Sequence, residues 1–226
     1  MTFEFSSRQN PPLPIGWEKL FASVVSDALD EVGILNQVMS IGMRPLDQSL
    51  SLFGRARTGA YMEIPYTVEG VNPYELEIAI VDDLCPGDVA VFACGGSSRI
   101  APWGGLLSTA AVARGAAGCI TDGFTRDLKE IIPLKFPVFS AGIAPLDSKG
   151  RGQIMATDVP VICDGVWVNP GDLVIGDADG VVVIPQEFEQ DVLSHAFAKI
   201  NSEGHSIKEL QAGAYLREVY AKHGVL

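Results

Sequence analysis

The sequence contains no run of basic residues, no Cys-x-x-Cys pair and no apolar stretch near the ~18 residues of a membrane span. Each absence removes a class of function. Lys and Arg total 16 against 28 Asp and Glu, a net charge of −12. Such a surface repels phosphate backbones and anionic lipid, and with no basic patch, nucleic acid and membrane drop out as expected partners. The four cysteines, Cys85, Cys94, Cys119 and Cys163, are scattered, and the last three sit in or beside apolar runs. They read as buried, reduced thiols rather than as a zinc site or redox pair. GxxxxGK[ST], GxSxG and HExxH are all missing. That removes a Walker-type phosphate loop, a nucleophile elbow and a helical zinc site. The three histidines, His195, His205 and His223, fall in the polar C-terminal region and read as surface residues. Asp177-Ala178-Asp179-Gly180 lacks the further ligands of a calcium loop and reads as a hairpin turn. The N-terminus has no basic-then-apolar pattern, so a cytoplasmic location is expected.

What is present is a chain of 226 residues, 47% hydrophobic and 19% charged, the mix of a globular protein with a real core. Residues 1–16 are Pro-rich and polar and read as an arm. The stretch WEKLFASVVSDALDEVG from Trp17 has helical spacing, with Leu20, Val24, Ala28 and Leu29 on one face and Gly33 as a C-cap. RARTGAYMEIP alternates as a strand, residues 75–82 suit helix or strand, and VAVFACGG (89–96) reads as a strand buried on both faces. Residues 104–118 predict a helix ended by Gly115 or Gly118. CITDG (119–123), PVFSAG (137–142), VPVICDGVWV (159–168), DLVIGD (172–177) and GVVVIP (180–185) predict further strands, the last three forming an antiparallel meander. From Gln186 the pattern is helical, broken around Gly204 and Gly213, with Leu210, Tyr215, Leu216, Val219 and Tyr220 on one face. Together these give an arm (1–16), an α/β domain (17–190) and a helical tail (191–226) that packs on its own core or reaches a neighbouring subunit.

The segment Ala101–Asp127 carries the chemistry. A helix opening at Trp103-Gly104-Gly105-Leu106-Leu107 leaves backbone N–H groups accessible to a carboxylate. The following strand can return Arg126 and Asp127 to that helix start. Asp127 would then offer a hard oxygen to Mg²⁺, and Arg126 a cation for an enolate oxygen. The alternative is a surface Arg-Asp pair opening the next helix, with Asp127 as its cap. Lys135, before Phe136-Pro137-Val138, is the candidate lysine for a Schiff-base mechanism.

The ordered set Val25-Ser26-Asp27-Ala28-Leu29-Asp30, Pro86-Gly87-Asp88-Val89, Trp103-Gly104-Gly105-Leu106-Leu107, Asp122-Gly123 with Arg126-Asp127, Asn169-Pro170-Gly171-Asp172 and Asp179-Gly180-Val181 resembles the RraA-like family. This family includes class II 4-hydroxy-4-methyl-2-oxoglutarate/4-carboxy-4-hydroxy-2-oxoadipate aldolases and a regulator of ribonuclease activity. The resemblance implies an α/β fold, a β/β/α sandwich like the phosphohistidine swivelling domain, in homotrimers or homohexamers with sites at subunit interfaces. It implies a Mg²⁺- or Mn²⁺-dependent lyase on 2-oxo acids: aldol cleavage giving pyruvate from a 4-hydroxy-2-oxo acid, or decarboxylation of oxaloacetate. The alternatives within the resemblance are a non-catalytic regulator that binds a protein, or a related decarboxylase, dehydratase or isomerase. By this resemblance Arg126 stabilises the enolate and Asp127 holds the metal. Gly104, Gly105, Leu106 and Leu107 bind the substrate carboxylate, and Glu203 reaches in from a neighbouring subunit. One departure stands out. The aldolases place an acid at the position of Gly105, and Asp122, Glu203 or a substrate carboxylate are the candidates to replace it.

Overall fold

The computed structural model describes residues 9–224. Its elements are α1 (Ala22–Glu31), β1 (Arg44–Pro45), β2 (Leu52–Glu63), α2 (Glu75–Asp82), β3 (Asp88–Ala93), α3 (Gly105–Ala113), β4 (Gly118–Thr125), α4 (Leu128–Leu134), β5 (Val138–Ile143), β6 (Gly152–Thr157), β7 (Val161–Cys163), β8 (Val166–Val168), β9 (Leu173–Asp177), β10 (Gly180–Ile184), α5 (Glu189–Gln211) and α6 (Leu216–His223). Residues 1–8 of the expected arm, and the last two residues of the tail, lie outside the described residues. Asn10, within the arm, donates to the Asp88 carboxylate at 2.8 Å.

The sheet runs β1-β5-β4-β3-β2-β9-β10, with β6 paired to the outer half of β2. The central strands β2, β3, β4 and β5 are parallel, and the flanking pairs are antiparallel. Its two ends approach one another, where Arg44 Nη1 donates to the Asp179 carbonyl at 2.6 Å. The result is a mixed α/β fold around a nearly closed, barrel-like sheet.

Strand periodicity explains the run VAVFA. Val89, Val91 and Ala93 point into the barrel with Leu52, Ile120, Phe139, Val174 and Val181. Ala90 and Phe92 point outward beneath α2 and α3, beside Trp103, Cys119 and Val138. With both faces covered, no polar alternation survives in the sequence. The opposite flank of the sheet buries Phe53, Ile175, Val182 and Ile184 under Val24 and Val25 of α1 and Val192 and Ala196 of α5. Burying each of the Phe, Ile and Val side chains among these contributes about 1.5–3 kcal/mol.

Several expectations need correction. The stretch from Trp17 is not one helix: a 3-10 turn at Trp17–Lys19 is followed by extended residues Leu20 and Phe21 before α1 begins. Gly33 does sit beyond the C-cap in the left-handed region (φ 84°), as expected. Residues 75–82 are helix. Residues 159–168 are not one strand but the hairpin β7–β8, turned at Asp164-Gly165, where both φ values are positive. This hairpin forms its own two-stranded sheet and plugs the barrel with Val161, Cys163, Val166 and Val168. The last three strands are therefore no meander, and only β9 and β10 pair. Gly204 does not break the tail: α5 runs through it to Gln211, while Gly213 (φ 93°) does end it. The first half of α5 belongs to the core. In the tail beyond it, Val219 is buried while Tyr215, Leu216 and Tyr220 are at least half exposed. All four cysteines are buried, as predicted.

Candidate active site

The site forms at the carboxyl ends of the parallel strands β3 and β4, a position that open parallel sheets favour for ligands. Past Thr121 the β4 ladder shifts register. The outer half of β4 then pairs with the loop leading to α3: Phe124 N donates to Ile100 O at 2.9 Å, and Arg126 N to Trp103 O at 3.1 Å. This pairing brings Arg126 and Asp127 against the start of α3, as the spacing predicts. The loop is anchored by Trp103, which is 1% exposed, lies between Phe92 and Phe136, and donates from Nε1 to Ser108 Oγ at 2.8 Å.

Asp127 occupies the N-cap position of α4 but does not cap it. Its backbone is left-handed (φ 61°), and its side chain makes no bond to its own helix. Instead Oδ2 accepts from Gly105 N of α3 at 3.2 Å. The cap reading thus holds for position and fails for chemistry. Arg126 Nε lies 3.4 Å from Asp127 Oδ2, and its Nη1 donates to Leu146 O at 3.2 Å and lies 3.4 Å from Asp147.

The two glycines are needed for close approach. A Cβ at Gly104 would come within 2.6 Å of Asp127 Oδ2. A Cβ at Gly105 would overlap the Glu130 carboxylate and come within 2.9 Å of Glu130 Cβ. Glu130, one turn along α4, therefore fills the volume that a side chain at 105 would take. The acid missing from position 105 has a spatial substitute three residues after Asp127. Sequence reasoning did not find it; the i, i+3 spacing on a short helix was the available signal.

Of the other candidates for that role, Asp122 is committed elsewhere. Its carboxylate is buried and accepts from the backbone N–H groups of Cys94, Gly96 and Asp164. Glu203 lies on α5, on the flank packed against α1, and does not line the cavity within this chain. Lys135 is exposed at the end of α4, not in an apolar pocket. His195, His205 and His223 pair with Glu31, the Asn201 carbonyl and Glu209, all away from the site.

A cavity of about 430 Å³ opens beside the Arg-Asp pair, lined by Gly104, Leu106, Leu107, Arg126 and Asp127, and by residues that sequence reasoning missed: Tyr74, Glu77, Asp147 and Ser148. Leu106 is 84% exposed at its mouth. Asp147 is held below the usual carboxylate range: burial works against this, but the Tyr74 hydroxyl and the Arg126 charge prevail. Glu77 behaves oppositely. Burial pushes its carboxyl up to about 7, against the hydrogen bonds from Tyr61 and Ser148.

The residues present fit a hard divalent cation. The Asp127 and Glu130 carboxylates face the same Gly104-Gly105 segment, beside first-turn N–H groups with no acceptor inside the helix. One or two carboxylates plus water is the usual protein donor set for Mg²⁺. Among the described residues no group of three or more His, Cys, Asp or Glu is arranged to hold a metal.

Comparison with known proteins gives the family. A model of the RraA-like family, described as Aldolase/RraA, matches residues 22–183. A protein of Halalkalibacterium halodurans, provisionally named a 4-hydroxy-4-methyl-2-oxoglutarate aldolase, is 37% identical over 175 residues, 77% of each chain. The 4-hydroxy-4-methyl-2-oxoglutarate aldolase of Thermus thermophilus is 31% identical over 60% of this chain and 80% of its own. The crystal structure of Streptomyces coelicolor RraAS2, described as an unusual member of the RNase ES inhibitor RraA family, superposes with a TM-score of 0.75 at 30% identity. That superposition covers 86% of this chain and 98% of RraAS2.

Proposed function

Since the chain belongs to the RraA-like family, we propose that it is a divalent-metal-dependent lyase on 2-oxo acids, cleaving a 4-hydroxy-2-oxo acid to pyruvate or decarboxylating oxaloacetate. The observation that carries this reading is Asp127, turned off its own helix onto the Gly105 amide beside Arg126, with Glu130 over the same glycine. Relatives named as aldolases support the lyase class.

Asp127 and Glu130 would hold Mg²⁺ or Mn²⁺. The ion would supply Lewis-acid polarisation of the 2-oxo group. The chain's own residues do the rest. The N–H groups of Leu106 and Leu107 bind the substrate carboxylate at the positive end of α3. Arg126, fixed by Leu146 O and Asp147, presents its guanidinium to the oxygen on which enolate charge develops. The surrounding apolar wall of Trp103, Leu107 and Ala110 excludes water and strengthens these interactions. Glu203 would enter only from a neighbouring subunit, in a trimer or hexamer that also covers Leu106 and the exposed tail residues Tyr215 and Tyr220.

The test is pyruvate release from 4-hydroxy-4-methyl-2-oxoglutarate and from oxaloacetate, with Mg²⁺ and after EDTA. Metal-dependent release supports the reading; none on either substrate, by a folded oligomer, contradicts it. A second reading follows from the likeness to RraAS2: a regulator binding a ribonuclease. It predicts stoichiometric ribonuclease binding without turnover.

A further inference from the structure

We propose that Glu77 carries the proton in this pocket, taking it from the substrate's 4-hydroxyl on cleavage and returning it to the enolate carbon. The proposal rests on the lyase reading above and names a residue outside the Arg-Asp pair.

Placement comes first. Glu77 is in the first turn of α2, 8% exposed, and lines the same cavity as Arg126 and Asp127. The Tyr61 hydroxyl and Ser148 Oγ (3.4 Å) both donate to the same oxygen, Oε2. Among the described residues no hydrogen bond reaches Oε1, and it is not among the fully buried polar atoms that lack a partner. The buried Asp122 carboxylate, by contrast, accepts on both oxygens. Glu77 is clamped by one oxygen and offers the other to the cavity.

The surrounding groups make it the proton carrier by elimination. Arg126, from the end of β4, is engaged by Leu146 O, Asp127 and Asp147. Asp147, from the β5–β6 connection, is held ionised by Tyr74 and Arg126. Burial and the Asp147 bond raise the Tyr74 phenol to about 12. Asp82, at the far end of α2, is paired with Arg114. The Cys94 thiol, beyond β3, is pushed far up by burial. Burial is also the main influence on Glu77; Asp147 raises it further, while Tyr61, Ser148 and Arg126 oppose, leaving a carboxyl that exchanges its proton near pH 7. General acid–base groups work best when poised near the operating pH.

The step balances without a further reagent. As the C3–C4 bond breaks, its electron pair becomes the C2–C3 double bond of the enolate. The C4 hydroxyl loses its proton to Glu77 Oε1, and C4 becomes a carbonyl. Glu77 then gives that proton to C3, forming the methyl group of pyruvate and regenerating the carboxylate.

The experiment is exchange of pyruvate methyl protons in D₂O with Mn²⁺, followed by NMR across roughly pD 5 to 9. Wild type should show a rate that rises to a plateau with a midpoint near 7. Glu77→Gln should lose about 10²-fold or more of the maximal rate, change pyruvate half-saturation by less than about threefold, and lose that limb. Tyr61→Phe removes a donor to the charged form, so its midpoint should move upward. Glu77→Gln exchanging within about threefold of wild type, with the limb intact, overturns the Glu77 role alone. Should that variant not fold, an unmoved midpoint in Tyr61→Phe overturns it. No exchange in wild type overturns this proposal together with the lyase reading.

Discussion

Asp127 stands at the head of α4, yet its carboxylate accepts a hydrogen bond from Gly105, the first residue of α3, at 3.2 Å. The left-handed backbone at Asp127 makes this possible and carries a strain of order 1–3 kcal/mol for a residue other than glycine. A cap of α4 needs no such conformation. Delivery of a carboxylate to the neighbouring helix, beside Arg126, does.

Asp127→Ala should therefore remove metal-dependent turnover by at least about 10²-fold while leaving the fold intact, since its side chain is exposed and makes no bond to α4. Circular dichroism and turnover with Mg²⁺ check both halves. Unchanged turnover would show that the carboxylate is not used.

Glu130 and position 105 should trade places. Glu130→Ala opens the volume over Gly105 and should weaken Mn²⁺ binding, measured by isothermal titration, by about tenfold or more. Adding Gly105→Asp to that variant restores a carboxylate in the vacated space and should recover binding. Gly105→Asp alone, with Glu130 in place, forces α4 to shift and should destabilise by about 1–3 kcal/mol.

Stability should fall with pH through Glu77. Its folded carboxyl titrates at about 7, above the ordinary 4.5, so the folded state binds its proton more tightly than the unfolded state. The stabilising contribution is complete below the ordinary value and is lost as pH rises through about 7. The full change is of order 3 kcal/mol. Urea denaturation at pH 5 and 8 should show Glu77→Gln gaining stability relative to wild type as pH rises. A difference that does not change with pH would mean Glu77 is ionised as usual.

Lys135 should be dispensable. It is exposed, and Lys135→Ala should leave turnover within about twofold. Borohydride with pyruvate should trap no adduct; a trapped adduct would move the chemistry to an imine.

Much of the frame was legible because it is written locally. VAVFA announced a strand buried on both faces, and Gly115, at φ 74°, ended α3 as expected. The return of Arg126 and Asp127 to the helix start followed from counting rise per residue. The hairpin at Asp164-Gly165 carried its turn signal, but continuous apolar flanks masked it. Strand β6 went unseen because its partner, the outer half of β2, lies ninety residues earlier and sets its role. Gly204 survives inside α5 because a single helical glycine costs only about 1 kcal/mol. Glu77 and Tyr61 meet only across α2 and β2, so no local spacing marks them as a pair.

The most direct test of the central claim is pyruvate methyl-proton exchange in D₂O by wild-type protein, with Mg²⁺ or Mn²⁺ and then with EDTA. It requires no knowledge of the second substrate. The account predicts exchange that depends on the metal, stops on chelation and is absent in Asp127→Ala. Exchange unaffected by EDTA, or none at all from folded protein, would contradict it.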